Sequence, residues 1–178
     1  MYRATFIIDN HKFHGTLDMY AIKKAQDELE ECGKKLKIHE IFKGIADLDM
    51  HCITAVILQS VLRASNISES DFLELYLRDR SIEETEKNIN YSLEFISELL
   101  KKCMPKKEIE NEDDDFEDIP DFNEEEKSDW DFPYMEYMWT TELKKNNFWE
   151  VTPKNYFEQI EIYKKFNSKE DSEDIEYL

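Results

Sequence analysis

The longest apolar block of the chain, DMHCITAVILQSVLRA from Asp49 to Ala64, surrounds a helix with apolar residues instead of striping it. Met50, Ile53, Val56, Ile57, Leu58, Val61 and Leu62 leave only a narrow polar edge at Gln59 and Arg63. A helix apolar nearly all round is buried, so the stretch predicts a central core helix enclosed by amphipathic neighbours. With His51, Gln59 and Arg63 among its residues it is too short and too polar for a good membrane span.

The flanking patterns supply those neighbours. Tyr2 to Ile8 is rich in aromatic and β-branched residues, and alternation resumes from His11 to Leu17 after Asp9-Asn10, which predicts a β-hairpin with a tight turn. A two-stranded hairpin is marginal alone in water and must lie on the helical part. Asp18 then caps a helix through Cys32, with Met19, Ile22, Ala25, Leu29 and Cys32 on one face and Gly33 as its stop. Ile38, Ile41, Phe42 and Ile45 mark a second, shorter amphipathic helix. Beyond the central block, SESDFLELYL begins a helix capped by Ser68 or Ser70 that buries Phe72, Leu75 and Tyr76. Ser81 caps a long helix in which Ile82, Ile89, Leu93, Ile96, Leu99, Leu100 and Cys103 recur at three- and four-residue spacing. Glu83 and Glu84 in its first turn and Lys101 and Lys102 in its last complement the helix dipole. Pro105 ends it.

Periodicity stops at Lys106. From there to Asp129 the chain carries 13 acidic side chains, too little apolar surface to offset ordering entropy, and reads as a flexible, self-repelling linker. Periodicity returns in WDFPYMEYMWTTELKKNNFWEVTPKNYFEQIEIYKKF, which holds all three tryptophans. A short helix from Pro133 to about Lys145, a turn at Asn146-Asn147 and a second helix from Pro153 to about Phe166 are expected, the last with Thr152 as N-cap and proline at its first position. The pattern therefore predicts a mainly α chain. Residues 1–104 form a small helical bundle with an N-terminal β-hairpin, 105–129 an acidic linker, 130–167 a C-terminal two-helix aromatic module and 168–178 an acidic, disordered tail.

Composition sharpens the division. The net charge of the chain is −19; residues 1–104 hold 14 basic and 18 acidic side chains, a net of −4, which leaves −15 for residues 105–178. An acidic surface repels phosphate backbones, so direct nucleic-acid binding is not expected. Three glycines and four prolines in 178 residues argue for helices over strands and turns. Cys32, Cys52 and Cys103 lack CxxC spacing and fall on apolar stripes, as small buried hydrophobes in a reducing cytoplasm would. The N-terminal MYRATFIIDNHKF has no signal-peptide pattern. With no membrane-spanning stretch, a soluble cytoplasmic protein is expected.

No catalytic or cofactor constellation is legible. The glycines are scattered and cradle no phosphate. His11 and His14 should point to opposite faces of a strand, and His39 and His51 lack partners at metal-ligand spacing. Asp113, Asp115, Glu117, Asp121 and Glu124 fall at positions 1, 3, 5, 9 and 12 of a calcium loop, but Asp118 stands where such a loop needs glycine and Pro120 follows close behind; no metal is expected there. The ring-rich C-terminus, with Trp130, Tyr134, Tyr137, Trp139, Phe148, Trp149, Tyr156 and Phe157, has two readings. The rings either form the core of the module, or exceed what about 35 residues can enclose and dock on the first domain or a partner. In the partner reading the anchors are Trp139, Phe148, Trp149, Tyr156 and Phe157.

The order of parts is similar to the tail assembly chaperones of long-tailed bacteriophages and phage-derived particles. The hairpin YRATFIIDNHKFHGTL leads into LDMYAIKKAQDELEECG, a helical core with ITAVILQSVLRAS, the SESDFLELYLRD helix and a long closing helix. The later WTTELKKNNFWEVTPKNYFEQIEIY resembles that family's extension, an aromatic-Trp pair before a Thr-Pro-capped helix. The likeness spans residues 2 to about 103 and 137–166. It implies a non-enzymatic protein of the bacterial host cytoplasm that accompanies the tape measure protein, recruits tail tube subunits through its C-terminal part and can self-associate. In that family the extension often arises by a programmed translational frameshift. The alternative from a different class is an acidic DNA mimic that inhibits a nucleic-acid-binding enzyme; it needs carboxylates held on a rigid surface.

Overall fold

The computed structural model describes residues 2–105 and 129–173, with side chains to Asn167. The acidic stretch 106–128, with its calcium-loop-like spacing, and residues 174–178 lie outside the described residues.

Strands β1 (Ala4–Ile8) and β2 (His11–Gly15) pair antiparallel with Ile8 opposite His11, Phe6 opposite Phe13 and Ala4 opposite Gly15. Asp9 and Asn10 take φ of 46° and 65°, the left-handed pair of a type I′ turn, whose twist suits a hairpin and which Asp and Asn tolerate. The pleat then sends Ala4, Phe6 and Ile8 into the core and Ile7 outward. Phe6 sits among Phe72, Tyr76 and Phe95, with ring centroids 6.2, 6.1 and 5.2 Å away. Arg80 fixes the turn from outside by donating from Nη2 to Asp9 at 2.8 Å.

Five helices follow: α1 (Met19–Glu31), α2 (Ile38–Ala46), α3 (Met50–Ala64), α4 (Glu69–Tyr76) and α5 (Ile82–Cys103). Each of α1, α3, α4 and α5 starts where a capping side chain predicts: Asp18, Asp49, Ser68 and Ser81 accept from backbone N–H groups of the first turn, satisfying donors the helix cannot. Helix α3 is the centre. It packs against α1, α2, α4, α5 and β2, and Cys52, Ile53, Ala55, Val56, Ile57, Leu58, Ser60 and Val61 are all buried. Among the described residues no single helix is long and apolar enough to cross a membrane; α2 and α3 together are apolar, but bent by 112°.

Three expectations need correction. Cys52 and Cys103 are buried, but Cys32 is exposed, because α1 ends at Glu31 and the cysteine is its C-cap. Ile82 and Ile89 continue the apolar spacing of α5 but are 88 % and 39 % exposed, since the first turns of this helix extend past the elements that cover Phe95, Ile96, Leu99 and Leu100. The helix expected from Pro133 to about Lys145 is α6 (Phe132–Tyr137) followed by a wider π-helical turn, Met138–Glu142. There Leu143 donates its N–H to the carbonyl of Met138, five residues back. The Thr140 hydroxyl bonds the carbonyl of Glu136 at 2.8 Å, local competition of the kind that interrupts regular helix.

A 3-10 turn, Phe148–Glu150, leads to α7 (Pro153–Glu173). Thr152 caps α7 through the Asn155 N–H. The helical backbone continues past Phe166 into the first residues of the expected acidic tail.

Residues 129–160 do not stand apart from the bundle. Phe132, Met135, Trp139, Phe148, Val151 and Tyr156 join one hydrophobic core with residues of the first part. The Met19 N–H bonds the carbonyl of Val151 at 2.9 Å. Asp129 caps a helix distant in sequence: its carboxylate accepts from the Ile38 N–H at the start of α2 (2.9 Å) and from Gln26 Nε2 on α1 (2.7 Å).

Candidate partner-binding cleft

The ring cluster divides into a locked layer and an open one. Trp139, Phe148 and Tyr156 are buried. Trp139 donates from Nε1 to the Asn146 carbonyl at 3.0 Å, which ties the π turn to the loop before the 3-10 turn, and carries Lys145 over its ring at 5.1 Å. Tyr156 lies 5.9 Å from both Trp139 and Phe148. Burial is the main reason its hydroxyl pKa is pushed up to about 12, so it is neutral at physiological pH. Trp139 and Phe148 turn their area inward, away from the cleft, whereas Tyr156, though buried, has an edge on it.

Trp149 and Phe157, the other two expected anchors, are half-buried. Trp149 stacks on Phe132 at 5.8 Å with an interplanar angle of 21° and donates to Glu136 Oε1 at 3.0 Å. Its polar edge is therefore already engaged within the module. Phe157 meets the edge of Trp130 at 5.6 Å and of Tyr156 at 5.3 Å, and it opens on the other side into a cleft.

That cleft, of about 540 Å³, lies between the α6–π-turn segment and α7. Tyr134, Met135 and Met138 form one wall, and Tyr156, Phe157 and Ile160 the other. Trp130, Asp129 and His39 close one end, and Glu161 and Lys164 stand along the α7 rim. Tyr134 is 59 % exposed, and Met138 and Ile160 are half-buried. Large side chains are thus presented on a framework held by Asp129 at one end and by the buried rings beneath. Methionine beside aromatic rings makes an adaptable apolar lining, because the unbranched thioether side chain repacks at little cost.

Sequence reasoning identified the aromatic residues but missed Met135, Met138 and Ile160. The signal was present: Tyr134 and Met138 are four apart, as are Tyr156, Ile160 and Lys164, so each set shares one helix face. The histidines are dispersed. His51 Nδ1 lies 3.2 Å from Asp49 Oδ1, His39 reaches the cleft, and His11 and His14 are exposed on β2. Among the described residues no group of three or more His, Cys, Asp or Glu side chains is gathered as a metal site. No protein-family model, curated protein or solved structure matches the chain.

Proposed function

We propose that this chain is a non-enzymatic assembly chaperone of a phage or phage-like tail, which binds the tape measure protein and recruits tail tube subunits. The observation that carries the reading is the methionine- and aromatic-lined cleft of the C-terminal module, open on a framework fastened to the helical bundle. Such a surface suits capture of apolar segments of another protein. The order of hairpin, core helices, closing helix and Thr-Pro-capped extension, similar to that of tail assembly chaperones, supplies the identity of the partners. The net charge of −19 suits a protein that keeps an aggregation-prone partner dispersed.

Coexpression tests the proposal. The tape measure protein of the same particle should be recovered soluble and bound to the intact chain, and tail tube protein should join that complex. Recovery of a DNA-processing enzyme and of no tail component overturns it in favour of the acidic-mimic reading.

A further inference from the structure

The walls of the cleft say what kind of segment fits it. Apart from Trp130 at one end, its apolar lining comes from helical side chains of α6, the π turn and α7, and among the described residues no strand edge borders it to pair with an extended peptide. The occupant must therefore be held through side chains, as an amphipathic helix is held in a groove.

Charge sets the other half of the specificity. Among the described residues, Asp129, Asp131 and Glu161 line the cleft against a single lysine, Lys164. Both walls are also joined in sequence to acidic runs. Residues 106–128, which precede Asp129 in sequence, hold 12 acidic and 3 basic side chains, a net of −9. Residues 168–178, which follow Asn167 in sequence, hold 5 acidic and 1 basic, a net of −4. Three carboxylates against one lysine in the lining attract cations and repel acidic segments.

We infer that the cleft binds an amphipathic helix with an apolar face and lysine- or arginine-rich flanks, presented by a partner protein. The inference deepens the chaperone reading and rests on it for the partner's biological role, but not for the chemistry of the site. Leucine- or methionine-sized side chains of the helix enter between Met138 and Ile160, and its cationic flanks meet Asp131 and Glu161.

The test uses the full chain and a fluorescein-labelled Leu/Lys peptide with leucines at i, i+3, i+4 and i+7. Two controls accompany it: a scrambled peptide of the same composition and a Leu/Glu peptide of the same spacing. Fluorescence anisotropy should show saturable binding of the first peptide, about tenfold or more tighter than the scrambled one, and none of the acidic one. Met138→Asp is the decisive variant, because it adds a negative charge: binding by charge alone would strengthen, whereas binding in the cleft weakens by about tenfold or more. Tyr134→Ala, at an exposed position, should weaken binding severalfold and serves in place of Met138→Asp if circular dichroism shows that protein unfolded. Equal binding of ordered and scrambled peptides, or undiminished binding to the folded variants, overturns the inference. A chain that takes the basic helix but captures no tail component keeps the cleft chemistry and loses the chaperone reading; the converse keeps the reading and loses the cleft as its site.

Discussion

Arg63 on α3 donates from Nε to Asp18 at 2.8 Å, and the Asp18 side chain is 0 % exposed. The same aspartate caps α1 through the Ala21 N–H at 2.9 Å, so both carboxylate oxygens are used. Arg63 also lies over the Tyr20 ring at 5.1 Å and 3.7 Å from Glu150 of the C-terminal module. One guanidinium thus joins the central helix, the first helix and the 3-10 turn. Removing it strands a buried carboxylate. Such losses cost about 3–5 kcal/mol when both partners are fully buried, and because Arg63 is 25 % exposed a smaller figure, roughly 2–3 kcal/mol, is expected for Arg63→Met. Urea unfolding of the variant measures it; a change below about 0.5 kcal/mol, the range of ordinary surface substitutions, contradicts the assignment.

Gly15 ends β2 where the chain passes over Phe95. A Cβ at this position would lie 2.3 Å from Phe95 Cζ, and Phe95 is itself packed against Phe6 at 5.2 Å. Gly15→Ala should therefore destabilise the protein by about 1–3 kcal/mol, as overpacking does. Phe95→Leu in the same chain should recover part of that loss, a non-additive result that a double-mutant cycle detects.

Asp129 caps α2 from the far side of the sequence, a position that Lys37 fills without a carboxylate or hydroxyl of its own. Asp129→Ala should cost about 1 kcal/mol, the usual value of a lost N-cap. It should also raise amide exchange at Ile38 while leaving the centre of α3 protected. Unchanged exchange at Ile38 would show that the cap is not formed in solution.

Acid should weaken the α2–α3 corner through Asp49. The Lys34 ammonium, 2.7 Å away, and the backbone N–H of His51 hold the Asp49 carboxyl at a pKa of about 2, below the roughly 3.9 of an unfolded aspartate. A depressed carboxyl contributes stability above its unfolded pKa and loses it as pH falls through the folded value. The melting-temperature difference between the native protein and Asp49→Asn should therefore be full near neutrality and close between about pH 4 and pH 2. A difference that is constant across that range contradicts the account.

The pattern of the chain carried most of the fold and less of the site. Caps at Asp18 and Ser81, the start of α3 near Asp49, the Asp9-Asn10 turn and the all-round apolar surface of α3 are legible because each depends on residues a few positions apart. The Asp18–Arg63 pair and the Asp129 cap are not, since they join residues 45 and 91 positions apart, which no local spacing encodes. By local sequence, Arg63 belongs to a polar helix edge and Asp129 to the end of an acidic run. The same limit hides how the ring cluster divides. Trp139 and Phe148 look like Phe157 in sequence, and only packing separates these two buried rings from those along the cleft. Tyr134 and Met138, adjacent to rings but less conspicuous, are the side chains the cleft presents.

One measurement addresses the proposed role in tail assembly most directly. The tape measure protein and the tail tube protein of the same particle are coexpressed with the intact chain, and the soluble fraction is captured through a tag on that chain. The account predicts that the tape measure protein is soluble only in its presence, and that both tail proteins coelute with it. A tape measure protein whose solubility does not depend on the chain, with neither tail protein retained, contradicts it.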